Sequence, residues 1–466
     1  MHCDQLITAY GAVADDAIIN TSAIQAAIDE CARTGGRVVV PPGTYLTGSL
    51  QLKSGVELHL AHGAVLKGSP RILDYTDLGA PFRVPIAITY AWKSLIWALD
   101  AKDIALTGTG TVDGNGTAPD FHVSGRATWE QVENRPCVLY FIRCTDVLIA
   151  DVTLRDSAFW MQHHTDCRRM RFHRVKVFNF QSHNNDGLDL DNCADVVISD
   201  CHIECSDDAL CLKSMTPGIN ERITVTNCVL RSHYNAFKLG TETAGGLRDF
   251  TMSNCVLCGP VDVPHPMEHN GRTRGFAGIA LMSIDGAVLE NIAISNLSIH
   301  HMTTAFFIRL QQRGTRYWPE APAVVPPGRI RGISISNVVA RDLTAVASSI
   351  TGLPGHPVED VNISDVVLEL PGGGTREDAE RPVPEKRGDY PDCTMFGGNL
   401  PASVIYLRHV DGIALRNWRV RIAAPGDYRP AFASEDATQV EVSDCSCRNP
   451  HPAPAVESSP WRIAPC

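Results

Sequence analysis

The chain has 466 residues, 44% hydrophobic and 20% charged, with a net charge of −11 at pH 7. This composition supports an ample apolar core, and the acidic balance excludes nucleic-acid binding through a broad basic face. No run of about 18 apolar residues occurs, so no membrane span is expected. The first residues show no basic stretch followed by an apolar one, so no secretory signal is expected. As the chain stands it reads as cytoplasmic, or as periplasmic or secreted if a leader has been removed.

In chain order, "TSAIQAAIDECART" has the apolar spacing of a short amphipathic helix. Thr21 or Ser22 is the candidate N-cap, and Gly35 and Gly36 stop it. "GRVVVPPGTYLTGSLQLKSGVELHLAHGAVLKGS" then alternates strands with Pro-Gly and Gly turns. From about residue 147 a β-rich pattern recurs around a polar marker: Asp151, Arg174, Asp200, Asn227 and Asn254 follow one another at 23 to 27 residues. Short β-branched strands at that period, without helices between them, predict a parallel β-helix in which each repeat is one coil. The markers are expected to form hydrogen-bonding ladders at a turn.

Such a solenoid needs an end cap, which the N-terminal helix supplies. The whole chain then reads as one all-β domain. Residues 1–50 are the cap and first coil, 51–450 the coils, and 451–466 a C-terminal tail. The segments 259–278 and 369–399, rich in Pro, Gly and charge, read as loops leaving the solenoid, the second as a cover or interface. The sixteen cysteines sit mostly in apolar runs such as "TNCVL" and "SDCHI". They read as small buried residues, with no zinc-type pairing.

Coil period turns sequence offset into distance, because residues one coil apart lie about 4.8 Å apart in space. Trp160 and His163 in "FWMQHH", Asp186 in "HNNDGLDLDN", Asp207 and Asp208 in "CSDDALCLKS", and Asn235 in "SHYNAFKLG" are each about one coil apart. They should form a column, with His233 and Lys238 beside Asn235. Carboxylates crowded this closely cannot all ionise freely, and at least one holds its proton near neutral pH. Glycoside hydrolysis needs that division between a general acid and a base. The two stand about 6.5 to 9.5 Å apart in inverting enzymes.

"NNDG" at Asn184 to Gly187 and "SDDALCLKS" resemble the Asn-x-Asp-Gly and Asp-Asp motifs of glycoside hydrolase family 28, the polygalacturonase family. The N-terminal block and "SAFWMQHHTDC" are similar to its bacterial members. The resemblance implies a right-handed parallel β-helix and hydrolysis with inversion. It also implies Asp207 as general acid, with Asp186 and Asp208 holding and activating water. Two departures stand out. Asn235 falls where the family has the His of a Gly-His-Gly motif, with His233 displaced by two residues. Ala280 and Met282 replace the Arg and Lys of the Arg-x-Lys motif that grips a uronate carboxylate. A related pectic or other α-linked oligosaccharide, such as a rhamnogalacturonan fragment, is therefore the expected substrate.

Further candidate substrate contacts are Asn184, His163 or His164, Lys213, Lys238 and Arg309 toward an acidic sugar, Glu242 toward a hydroxyl, and Trp160 as a sugar-stacking platform. Loop 312–328, with 259–278, would wall one end of the cleft. Asp189 and Asp191 invite a calcium reading, but no recurrent ligand loop accompanies them, and neither metal nor cofactor is expected. The expected partner is a carbohydrate, with no nucleic acid and no membrane; oligomeric state is left open. Two rivals remain: a calcium-dependent polysaccharide lyase of pectate-lyase type, and a non-catalytic carbohydrate-binding β-helix.

Overall fold

The computed structural model describes residues 4–78, 93–121, 134–215, 218–260, 273–317 and 320–450. The repeated runs become short strands, three to a coil in the middle of the chain: Cys137–Ile142, Thr145–Ala150 and Thr153–Arg155 make one coil. Each strand pairs in parallel with its counterpart a coil away, and the stack is a right-handed parallel β-helix. One vertical row carries the functional residues: β1 (Gln162–Thr165), β2 (Leu188–Asp191), β3 (Leu210–Ser214), β4 (Phe237–Thr243), β5 (Gly275–Ser283) and β6 (Met302–Leu310). Along it His163 pairs with Asp189, Asp189 with Cys211, Cys211 with Lys238, Lys238 with Ala280, and Ala280 with Phe307.

Alternate residues of these strands point inward, so the neighbouring register level, Phe141, His164, Leu190, Leu212, Leu239 and Leu281, is core. The corners are made by the markers. Asp151, Arg174, Asp200, Asn227 and Asn254 all hold left-handed backbone, φ 52 to 66°, the conformation that Asn and Asp tolerate best after glycine. Their side chains bond from coil to coil: Arg174 donates to Asp151 at 2.6 Å, Asn227 to Asp200 at 3.2 Å and Asn296 to Asn254 at 3.1 Å.

Helix α1 (Thr21–Cys31) forms as the apolar spacing predicts, burying Ile24, Ala27, Ile28 and Cys31. Its N-cap is Asn20, not Thr21 or Ser22. The Asn20 side chain does not cap the helix. It accepts from Val13 N at 2.7 Å and donates to Ile18 O at 2.8 Å, tying the preceding loop to the first coil. Of the fourteen described cysteines, twelve are buried and two half-buried.

Two loop boundaries differ from expectation. Residues 275–278 belong to β5, because Phe276 and Ala277 pack beneath a neighbouring segment; 261–272 lie outside the described residues. The strand Val358–Leu370 takes in the first two residues of the second insertion, which also contains a short helix α2 (Arg376–Glu380) with a Thr375–Asp378 capping box. In loop 312–328, residues 318 and 319 lie outside the described residues, as does the tail 451–466.

Candidate active site

The turn before β2 is built by neighbours that leave it no freedom. Asn179 donates to Phe159 O at 3.1 Å and to Asp186 O at 2.9 Å. Asn185 donates to Ser157 O at 3.0 Å and Phe159 O at 2.8 Å. Asn184, at φ 53°, accepts from Arg135 at 3.2 Å. At Gly187 a Cβ would lie 2.3 Å from an Ile203 methyl and 2.5 Å from the Ala209 carbonyl, so only glycine fits. Continuing the ladder two residues back from Leu188, Leu210 and Phe237 puts Asp186, Asp208 and Asn235 at one level on three successive coils. Gly187 N donates to Asp208 O at 2.9 Å, and Ala209 N to Asn235 O at 3.0 Å.

Asp207 stands beside this column rather than in it. Its carbonyl accepts from the Ser232 hydroxyl and from the Cys205 thiol, and its Oδ1 accepts from Asp208 N at 3.0 Å. Asp208 is clamped: Oδ1 accepts from Asn235 N at 3.1 Å and Asn235 Nδ2 at 2.8 Å, and Oδ2 from Lys238 Nζ at 2.6 Å. Asp186 is different. It is 3% exposed, and its Oδ1 has no hydrogen-bond partner. Burial, followed by the negative charges of Asp189 and Asp207, raises its carboxyl well above the usual range. Burial and the charge of Asp208 push Asp207 up to about 7, against the pull of Lys238 and Lys213.

A second charged layer lies behind these acids. Asp189 is fully buried, with Lys213 Nζ 3.5 Å away, and burial raises it to about 7. Lys213 donates to Glu242 at 3.0 Å and sits 4.5 Å from the centre of the Trp160 ring. Burial works against the Glu242 charge, yet Lys213, Arg313 and Lys238 outweigh it and hold the carboxyl well below its usual range.

Several expected contacts take other places. Trp160 is not an open platform: it is 3% exposed, stacked on Phe159 and edge-on to His163, and it forms a wall behind Lys213. His163 lies on the site row, stacked 4.8 Å from Tyr140 and 3.6 Å from Asp191. His164 points into the core, where burial depresses its pKa to about 3. His233 is buried edge-on to Phe180. Arg309 does not face the cleft as a uronate partner. It is 1% exposed and donates to the carbonyls of Gly352, Glu385 and Lys386, tethering the second insertion.

Sequence reasoning missed Arg135 and gave Asp189 only a metal role. Arg135 is fully buried, donates to His183 O at 2.6 Å, and lies 4.6 Å over the Phe159 ring. Its only sequence signal is a lone cation directly before the apolar run "PCVLYFI". The metal question has a geometric answer as well. Asp186, Asp208 and Cys211 bring potential ligand atoms within 4.8 Å of one another. However, Lys238 occupies one oxygen of Asp208, and the Cys211 thiol, raised by burial, donates to Gly240 O at 3.0 Å. A cation beside the carboxylate and a protonated thiol suit proton transfer better than metal ligation.

The absent Arg-x-Lys motif has a packing explanation. Ala280 and Met282 are buried with Phe276, Ala277 and Phe307 against Val383, Cys393 and Phe396 of the second insertion and Leu400 just beyond it. An arginine and a lysine there would be buried beneath an apolar cover.

Residues 37–233, which hold the whole three-acid group, match the sequence model described as "Glycosyl hydrolases family 28". Over these residues the chain is similar to the family 28 glycoside hydrolases. It is a glycoside hydrolase. It is 28% identical over 383 residues to a "Probable polygalacturonase" of Vitis vinifera, covering 78% of this chain and 73% of that one. An "Exo-poly-alpha-D-galacturonosidase" of Dickeya chrysanthemi is 26% identical over 408 residues, 74% of this chain and 64% of that relative. Among solved structures, the fold matches that of a hyperthermoactive exopolygalacturonase from Thermotoga maritima. The TM-score is 0.64 at 21% identity, over 90% of this chain and 91% of that one.

Proposed function

We propose that this chain hydrolyses α-linked glycosidic bonds in pectin-type oligo- or polysaccharides, galacturonan- or rhamnogalacturonan-derived, with inversion at the anomeric carbon. The observation that carries the reading is the contrast between two adjacent acids: Asp207, pushed up to about 7, and Asp208, held by Asn235 and Lys238. In this reading Asp207 gives its proton to the departing glycosidic oxygen as the C–O bond breaks. A water held between Asp186 and Asp208, whose oxygens approach within 4.8 Å, attacks the anomeric carbon from the opposite side and yields its proton to Asp208. Lys213, Lys238 and Glu242 hold the charge balance around them. The names of the relatives, both polygalacturonan-directed, support a pectic substrate.

The test is incubation with defined pectic oligosaccharides, reading product mass and anomeric form for the parent chain and for Asp207→Asn. Inverted products, and a loss of roughly 10²- to 10⁴-fold in kcat in the variant, are expected. Retained configuration would overturn the mechanism. An unsaturated, ultraviolet-absorbing product would replace it with lyase chemistry, and tight binding without turnover would replace it with a carbohydrate-binding role.

A further inference from the structure

Around the acids Trp160, Phe159, Tyr140, Phe276 and Tyr406 are at most 6% exposed, and Phe180 and Tyr234 are half-buried. One ring is far more open. Tyr390, from the second insertion, is 57% exposed, and no other described large aromatic is as open. Its ring centre lies 6.0 Å from Lys238 Nζ, which is itself 2.6 Å from Asp208 Oδ2. The ring centre therefore lies within the sum of those two distances of Asp208 Oδ2, close enough to meet a sugar held at the carboxylates.

The segment that carries this ring is held at several points. Arg309 Nη2 donates to Glu385 O at 2.6 Å and to Lys386 O at 3.3 Å, and Gln311 Nε2 donates to Asp389 O. Gln312 N donates to Arg387 O at 3.3 Å, and Arg408 Nη1 to Val383 O at 2.6 Å. Arg309 and Gln311 are at most 1% exposed and stand on or just beyond β6, so the strap 383–390 is fixed to the solenoid by buried donors. An aromatic on a tethered strap beside a reactive site is poorly explained by packing when more than half of the residue is left open. Such a ring is pre-organised to bind, because little side-chain or loop freedom is lost on contact.

We propose that Tyr390 forms a sugar-binding subsite beside the catalytic carboxylates, taking the apolar C–H face of one pyranose of a pectic chain. Lys238 donates to ring oxygens or hydroxyls at the edge of that sugar. This rests on the hydrolase reading above for the identity of the chain that binds. The insertion thus covers the positions where the family grips a uronate and brings its own contact to the site.

Kinetics on pectic tri- to hexasaccharides for Tyr390→Ala, Tyr390→Phe and Tyr390→Trp test it, with thermal melting as the folding control. Tyr390→Ala should raise KM roughly tenfold with kcat within about twofold. Phe and Trp should each keep KM within about twofold, because the ring and not the hydroxyl does the binding. Unchanged KM in Tyr390→Ala, or an equal loss in Tyr390→Phe, would overturn the subsite. If the parent chain cleaves none of the panel, the hydrolase reading fails separately. Calorimetric binding of the same oligosaccharides to Asp207→Asn, with and without Tyr390→Ala, then decides the subsite: weaker binding without the ring supports it, and equal or no binding in both overturns it.

Discussion

Asp207 and Asp189 are both pushed up to about 7, chiefly by burial, and this has two separate readouts. The acid role of Asp207 requires its proton, which is present below that value and lost above it. Activity should therefore fall on the alkaline side with a midpoint near pH 7, as kcat/KM across pH 4 to 9 would show. A flat profile to about pH 9 would remove Asp207 as the acid. For stability the sign is set by comparison with the unfolded chain, where an aspartate titrates near 3.9. A carboxyl whose folded value is raised contributes stability fully below about pH 4, and this is lost as pH rises through about 7. The melting temperature should fall across that window and fall less in Asp189→Asn; parallel curves for parent and variant would count against the burial of that charge. At this scale the sequence was readable where chemistry repeats at the coil period, which placed Asp186, Asp208 and Asn235. It offered Asp189 only as a metal ligand and not as a partner of Lys213, because an acid alternating with Asp191 looks the same whether its strand faces solvent or a lysine. It was misleading on Trp160 and Arg309, whose types suit substrate contact but whose neighbours, Phe159 and the 383–390 strap, exist only after folding.

The turn at Asn184 to Gly187 shows how an element, rather than a side chain, sets the geometry. Asn179 and Asn185 fix its carbonyls, and the Ala209 carbonyl presses against Gly187 from the next coil. Because that carbonyl belongs to the ladder under Asp208, it cannot move without moving an acid. Gly187→Ala should cost roughly 1–3 kcal/mol in denaturant unfolding and lower kcat on the order of 10²-fold, since a shift of about 1 Å at the reacting groups has that effect. A variant with normal kcat would show that the turn has slack the packing does not suggest. The strands and the polar markers could be read from sequence, since β-branched alternation and Asn or Asp at left-handed corners are local properties. The N-cap could not, because the Asn20 side chain is committed to the loop just before the helix instead of capping it.

Over the whole molecule, coils distant in sequence meet at one place. Strand β6 supplies Arg309, a strap some 75 residues later supplies the carbonyls that Arg309 grips, and β4 supplies Lys238 beneath the strap. Arg309→Ala should release residues 383–390, so limited proteolysis with mass analysis should show faster cleavage there while the solenoid stays intact. KM should rise with it. Unaltered cleavage would mean that the other tethers suffice. The insertion's role was only half legible beforehand: its composition marks it as leaving the solenoid, but nothing local says that Phe396 and Leu400 return to cover Ala280 and Met282. The stacked cysteines have a consequence of another kind. Cys144, Cys167 and Cys193 follow one another up one corner, and Cys201, Cys228 and Cys255 up another, all as buried free thiols. Each is shielded from an alkylating reagent until its own coil opens. The order in which they become labelled during slow denaturation would therefore report whether the stack unzips from its helix-capped end or from the far one.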